Sequence, residues 1–164
     1  MSLPDELLAL ASHLAILDDE AHHQASLRRA VSTAYYALFH LLVSETTLSW
    51  SREETRSALG RLFEHRKMKG VCDKKVTELN KLLKDNPQDN PELTVSRHLL
   101  TIANTFVQVF QERNDADYDT SKEWDRTNVL RQIDAVSAAF KSWEAIKDEP
   151  PAQAFLFSLL AKDR

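Results

Sequence analysis

Only two glycines, Gly60 and Gly70, and five prolines interrupt 164 residues, so the chain has few places at which it can turn sharply. The stretches between them are rich in Ala, Leu, Glu, Lys, Arg and Gln, all strong helix formers. Such a chain is expected to be all-α, with long helices. Its length suffices for one substantial core and is too short for two, so residues 1–164 are expected to form a single domain.

The periodicity divides the chain further. Ser2 can cap a first helix whose opening turn holds Pro4, Asp5 and Glu6 and whose apolar face is Leu7, Leu8, Leu10, Ala11, Leu14 and Leu17. Asp18-Asp19-Glu20 reads as a short connection, followed by a long helix to about Leu48. Ser51 and Glu54 have the spacing of a capping box, which predicts a third helix carrying Ala58, Leu59, Leu62 and Phe63 to about His65. Gly70 is expected to interrupt, with another short helical piece over Val76, Leu79, Leu82 and Leu83. Residues 85–91, with Pro87 and Pro91, read as an intradomain loop. A helix is then predicted from Glu92 to about Arg113. Ser121 and Glu123 are expected to open the next helix, striped by Trp124, Leu130, Ile133, Val136, Phe140 and Trp143 and stopped by Pro150-Pro151. The apolar end, residues 151–161, is expected to be helical and to pack on something.

Charge and composition exclude several functions. A net charge of −4 argues against a general polyanion binder, although it leaves room for a local basic pocket. Cys72 stands alone, so neither an internal disulfide nor a cysteine zinc cluster can form. The start Met1-Ser2-Leu3-Pro4-Asp5-Glu6 lacks the basic-then-apolar order of a signal peptide, and no apolar run approaches a membrane span. The chain reads as cytoplasmic. It has no glycine-rich phosphate loop, no GxSxG and no HExxH. His22-His23 are adjacent rather than a helical turn apart, and Asp18, Asp19 and Glu20 have no matching carboxylates, so neither a metal nor a cofactor is expected.

Residues 27–43 carry the most information. Leu27, Ala30, Val31, Ala34, Tyr35, Leu38, Leu41 and Leu42 recur at steps of three and four, the period of a buried helical stripe. The same helix holds Arg28-Arg29, Tyr35-Tyr36 and His40, more polar chemistry than a core helix requires. Two readings are open. The arginines can run their stems along the bundle and form ion pairs while a tyrosine buries its ring. Alternatively, one Arg and one Tyr can face a groove and bind phosphate and base. The wording of this segment resembles the second helix of HEPN domains, the helical nucleotide-binding domains of prokaryotic toxin-antitoxin and nucleotidyltransferase-linked proteins.

A second segment, Gln111 to Asp119, adds to the resemblance. Catalytic HEPN ribonucleases carry an arginine, often followed by Asn, with a histidine four to six residues beyond the arginine. Arg113-Asn114 matches the front of that motif, whereas Tyr118 stands where the nearest histidine is expected. The chain instead resembles a subgroup with Ala-Asp-Tyr after the arginine, here Ala116-Asp117-Tyr118. A tyrosine with a pKa near 10 is a poor base at neutral pH, whereas a histidine near 6.5 is well placed. Asp115 and Asp117 could also neutralise Arg113 in a structural network at a helix end.

The resemblance implies an up-and-down bundle of four to five main helices plus short extra ones, forming a homodimer. It implies nucleotide or RNA binding, with metal-independent RNase activity or a small nucleotidyltransferase partner as further features of the family. Under it, Arg113, Asn114, Asp117, Tyr118 and His40 are the candidate catalytic set. Arg28, Arg29, Tyr36 and His65 are the candidate nucleotide or RNA contacts; His65 falls in the most basic stretch, residues 61–69. A rival reading is a non-catalytic helical protein that dimerises or holds a partner.

Overall fold

In the computed structural model, which describes residues 1–18, 20–88 and 90–160, the apolar stripe of residues 27–43 forms the middle of α2 (His23–Leu48). Asp19 of the expected first connection, Asp89 of the expected loop and residue 161 of the expected last helix lie outside the described residues. The other helices are α1 (Leu3–Ile16), α3 (Arg56–Gly60), α4 (His65–Asp85), α5 (Thr94–Tyr118), α6 (Arg126–Ile146) and α7 (Pro150–Ser158), with single 3-10 turns before α2, α3 and α5. No strand occurs among the described residues. The fold is an all-α helical bundle, as composition and periodicity predict, and no described helix is long and apolar enough to cross a membrane.

Helix α2 is the axis of the bundle because its buried stripe is unusually wide. Ala30, Val31, Ala34, Tyr35, Ala37, Leu38 and Leu42 are all essentially inaccessible. Helices α1, α5 and α6 pack along it, and α3 and α7 touch its C-terminal half. The alanines permit close approach, and the large side chains Phe106, Trp143 and Phe155 fill the space between helices. The apolar end of the chain covers this core with Ala152, Phe155, Leu156 and Leu159 and leaves Phe157 outside. At α1, the Ser2 hydroxyl accepts from the Asp5 amide while the Asp5 carboxylate accepts from the Ser2 amide, a reciprocal cap for the first turn.

Four boundaries differ from expectation, and two of the differences move a functional residue. The Ser51–Glu54 capping box does not form; Arg52 precedes a 3-10 turn over Glu53–Thr55, and α3 is only five residues long. The chain then breaks at residues 61–64, where Phe63 is buried, and His65 opens α4. Gly70 interrupts nothing: α4 continues for 21 residues, because one glycine costs only about 1 kcal/mol and burying Met68, Cys72 and Leu79 outweighs it. Finally, α5 does not stop near Arg113 but runs to Tyr118, so the Arg113–Tyr118 motif is helical. The start of α6 is also later than expected: the Asp125 side chain, not Ser121, caps it by accepting from the Asn128 amide.

Gly70 yields a direct prediction. Its φ is not positive, and a methyl group built there would meet nothing within 4 Å. Gly70→Ala is expected to stabilise the protein by about 0.5–1 kcal/mol, read as a higher urea midpoint with an unchanged slope.

Candidate functional site

Arg113 is the element of the sequence motif that the fold treats most unusually. Helix α5 turns its side chain inward, so that only 9% of the residue is exposed. The guanidinium carbon lies 4.8 Å from the centre of the Tyr35 ring, 5.8 Å from that of Tyr36 and 5.6 Å from that of Phe110. These π faces attract the cation, but they do not satisfy its N–H groups. Among the described residues the only carboxylate in range, Asp117 one turn along α5, stands 4.0 Å away and is shared with the Ser32 hydroxyl at 3.5 Å. Arg113 Nε is buried and has no hydrogen-bond partner among the described residues. A buried charge normally persists only when paired and fully hydrogen-bonded. Arg113 is neither.

The neighbouring acidic residues face elsewhere. Lys122 reaches Glu112 at 3.2 Å and Asp115 at 3.1 Å, and its ammonium lies 4.4 Å from the Trp124 ring centre. Of the two acids expected to neutralise Arg113, Asp117 therefore comes only to 4.0 Å, while Asp115 joins Glu112 in pairing with Lys122.

Across from Arg113, the first residue of α4 supplies an imidazole. Tyr35 Oη and His65 Nδ1 are 2.6 Å apart. The His65 ring stacks on Phe39 at 4.1 Å between centroids and meets the edge of Tyr36 at 5.7 Å. Burial pushes the Tyr35 phenol far above its usual range, although Arg113, as a nearby charge and donor, pulls the other way. The phenol therefore stays protonated. His65 is held below 6.5, first by burial and then by the positive charge of Arg113 and by His40. Burial likewise lowers His40. The positive end of α4 acts in the same direction on His65.

These depressed values set a pH dependence of stability. Both histidines hold their protons less tightly in the folded than in the unfolded chain, so the unfolded state binds more protons just below pH 6.5. Their contribution is complete above that pH and is lost as pH falls through the folded values. Urea unfolding at pH 7.5 and pH 5 is expected to show lower stability at pH 5, with a smaller difference in His65→Gln. An equal pH difference in that variant would mean that His65 does not contribute.

Arg113 and His65 open together into a groove of about 540 Å³ between α4 and α5, lined by His65, Arg66, Lys69, Phe110, Gln111, Arg113, Asn114 and Tyr118. No carboxylate lines it. Asn114 contributes an amide to the wall, and Tyr118, 76% exposed, stands at the rim where a flat ring could lie against it. Asp117 is behind Arg113 rather than in the groove, and Tyr36 and His40 form a second layer through their contact with each other and with Phe39.

The arginine pair of α2 is split. Arg28 donates to the carbonyls of Ala116, Asp119 and Lys122 at 2.9, 2.8 and 2.6 Å, tying the end of α5 and the following turn to α2. With its donors spent on carbonyls left open by the helix end, Arg28 holds the fold, the bland reading offered for this pair. Arg29 is exposed and is not among the groove-lining residues. Of the sequence candidates, the fold thus brings together Arg113, Asn114, Tyr118 and His65, backs them with Tyr36, His40 and Asp117, and leaves out Arg28 and Arg29. The sequence placed Tyr35 in the buried stripe and Arg66 and Lys69 in the basic stretch 61–69 without singling them out. Helix periodicity puts 65, 66 and 69 on one face, which was the signal for them.

Among the described residues no three His, Cys, Asp or Glu side chains converge so as to hold a metal ion. Compared with models of known families, with curated proteins and with solved structures, the chain has no match.

Proposed function

We propose that this chain is a nucleotide- or RNA-binding protein of the HEPN type, acting through the Arg113 groove. The reading is carried by one observation: a buried arginine with an unpartnered Nε opens into a groove lined by Arg66, Lys69 and no carboxylate. A phosphate in the groove would pair the poorly compensated charge through the part of the side chain that stays accessible, and Arg is the side chain best suited to bind it. Asn114 and Tyr118 are placed to meet the ribose or base. Metal-independent RNA cleavage would additionally need a proton acceptor beside the cation, and only a His65 with a bare Nε2 could serve in place of the motif histidine. The resemblance adds a homodimer linked to a toxin-antitoxin or nucleotidyltransferase system, and the reading of the sequence adds a cytoplasmic location.

The deciding experiment incubates the purified protein with a mixed RNA pool, with and without EDTA, alongside measured binding of AMP and RNA. Affinity that is lost in Arg113→Ala supports the reading. EDTA-resistant cleavage lost in the same variant would make the protein a nuclease. Unchanged AMP and RNA affinity in folded Arg113→Ala would overturn the proposal.

A second reading has its own support. Trp50 (47% exposed) and Phe157 (75% exposed) flank a trough with Leu59, Leu156 and Leu160, an apolar surface of the kind used for assembly. If the chain is chiefly a dimerisation or partner-binding protein, Phe157→Glu should change its mass in solution or its capture of a co-expressed nucleotidyltransferase, while Arg113→Ala should change neither.

A further inference from the structure

We infer that the groove takes a terminal phosphate, the phosphomonoester of a nucleotide or of an RNA end, and that His65 meets it as a hydrogen-bond donor that gains a proton on binding. This rests on the nucleotide-binding reading and narrows it to one chemical class.

The hydrogen bond between Tyr35 and His65 determines what His65 presents. The Tyr35 phenol lies beside a permanent cation, Arg113, so its oxygen is the natural acceptor there and its own hydrogen must go elsewhere. The partner at 2.6 Å is His65 Nδ1. With Nδ1 accepting from Oη, a neutral imidazole carries its hydrogen on Nε2. That atom has no protein partner among the described residues and belongs to a ring that lines the groove. At rest, then, His65 offers the groove an N–H and not a lone pair. This is the arrangement for holding a phosphate oxygen rather than for removing a ribose proton.

The distribution of charge favours a single concentrated anion over a strand. Arg66 has no ion-pair or hydrogen-bond partner among the described residues, and it lies in the first turn of the 21-residue α4, where backbone N–H groups are also free. Lys69 lines the groove but already meets Asp73 at 2.5 Å, and Lys75 meets Glu78 at 3.2 Å. Lys67 donates to the Leu160 carbonyl at 3.3 Å. Among the described cations that line the groove, Arg66 is thus the one without a partner, and it stands beside Arg113 in a chain of net charge −4, while Glu112 and Asp115 of α5 are engaged by Lys122. Beyond that spot the groove offers an extended backbone of phosphodiesters no further free cation among the described residues. A terminal phosphate carries close to two charges at one point.

The groups that face His65 are Tyr35, Tyr36 and His40 of α2, Arg113 of α5, and Arg66 and Lys69 of its own helix. No carboxylate is among them, so the imidazole is neutral in the empty groove and a dianion is the group that would favour its charged form. Binding and protonation are then coupled.

Two measurements test this without any substitution. Long-range proton–nitrogen correlation on histidine-labelled protein at pH 7 should show His65 with a bare Nδ1 and a protonated Nε2; the opposite tautomer would overturn the inference. Calorimetric titration with AMP at pH 7, in two buffers of different ionisation heat, should show net proton uptake. The cationic groove favours the phosphate's dianion, so the phosphate itself would shed the small proton fraction it still carries at pH 7 and uptake has to come from the protein. The dinucleotide ApA, whose only phosphate is a diester, should bind at least about tenfold more weakly. In His65→Gln, which retains an N–H donor but cannot take up a proton, uptake should vanish while AMP binding persists. Equal affinity for ApA and AMP, or binding without uptake, would overturn this inference and leave the nucleotide-binding reading standing. Failure of both ligands to bind would overturn the two together.

Discussion

Replacing Arg113 with methionine is expected to weaken AMP or RNA binding about a hundredfold while leaving unfolding stability unchanged or raised by about 0–2 kcal/mol. The two halves of that expectation have one cause. Arg113 is 9% exposed, has a carboxylate no nearer than 4.0 Å and leaves its Nε without a partner, so the fold bears a desolvation cost with little return. Methionine is unbranched and polarizable and would pack against the Tyr35, Tyr36 and Phe110 rings without that cost. A residue kept for function at the expense of stability has this signature. The opposite pattern, a loss of several kcal/mol with binding intact, would assign Arg113 to the scaffold.

The second large effect concerns the seam between α2 and α5. Phe106 is completely buried, and its ring centre lies 5.6 Å from that of Tyr35. Phe106→Ala is expected to cost about 3–5 kcal/mol through lost burial and an unfilled cavity, a large part of the roughly 5–15 kcal/mol available to a domain of this kind. Urea unfolding followed by circular dichroism measures it. Because Phe106 supports Tyr35, and Tyr35 orients His65, the variant should also bind AMP more weakly than its remaining folded fraction accounts for. Phe106→Leu, which retains most of the volume, should recover most of both. A loss below about 1 kcal/mol would mean that this seam is not the centre of the core.

The long-range pattern of the fold was more legible than its punctuation. The α2 stripe was readable because seventeen residues repeat one period, and no local alternative competes with a pattern of that length. Punctuation depends on small local energies that packing overrides. Ser51 and Glu54 satisfy a capping pattern worth about 1 kcal/mol, yet the chain caps elsewhere, and the similar penalty at Gly70 does not break α4. Those two misreadings explain why the site was only partly visible. With a break expected at Gly70, His65 belonged to the end of one helix; in the structure it begins another and thereby comes to face Arg113. Its partner Tyr35 is 30 residues away, a separation at which nothing in the local spacing announces a hydrogen bond. Arg28 was equally opaque, since its three acceptors are main-chain carbonyls 88 to 94 residues distant, and carbonyls leave no trace in a list of side chains.

The bond between Tyr35 and His65 has a consequence for how sequences of this kind can drift. The phenol oxygen and the imidazole nitrogen each have a purpose only while the other is present: phenylalanine at 35 would fill the same space and leave Nδ1 without its donor, and an apolar side chain at 65 would leave a buried hydroxyl without its acceptor. Each single change therefore passes through a less fit intermediate, whereas the double change does not. Among descendants of this chain, positions 35 and 65 should behave as one inherited character, tyrosine travelling with histidine and phenylalanine with a residue that asks nothing of it.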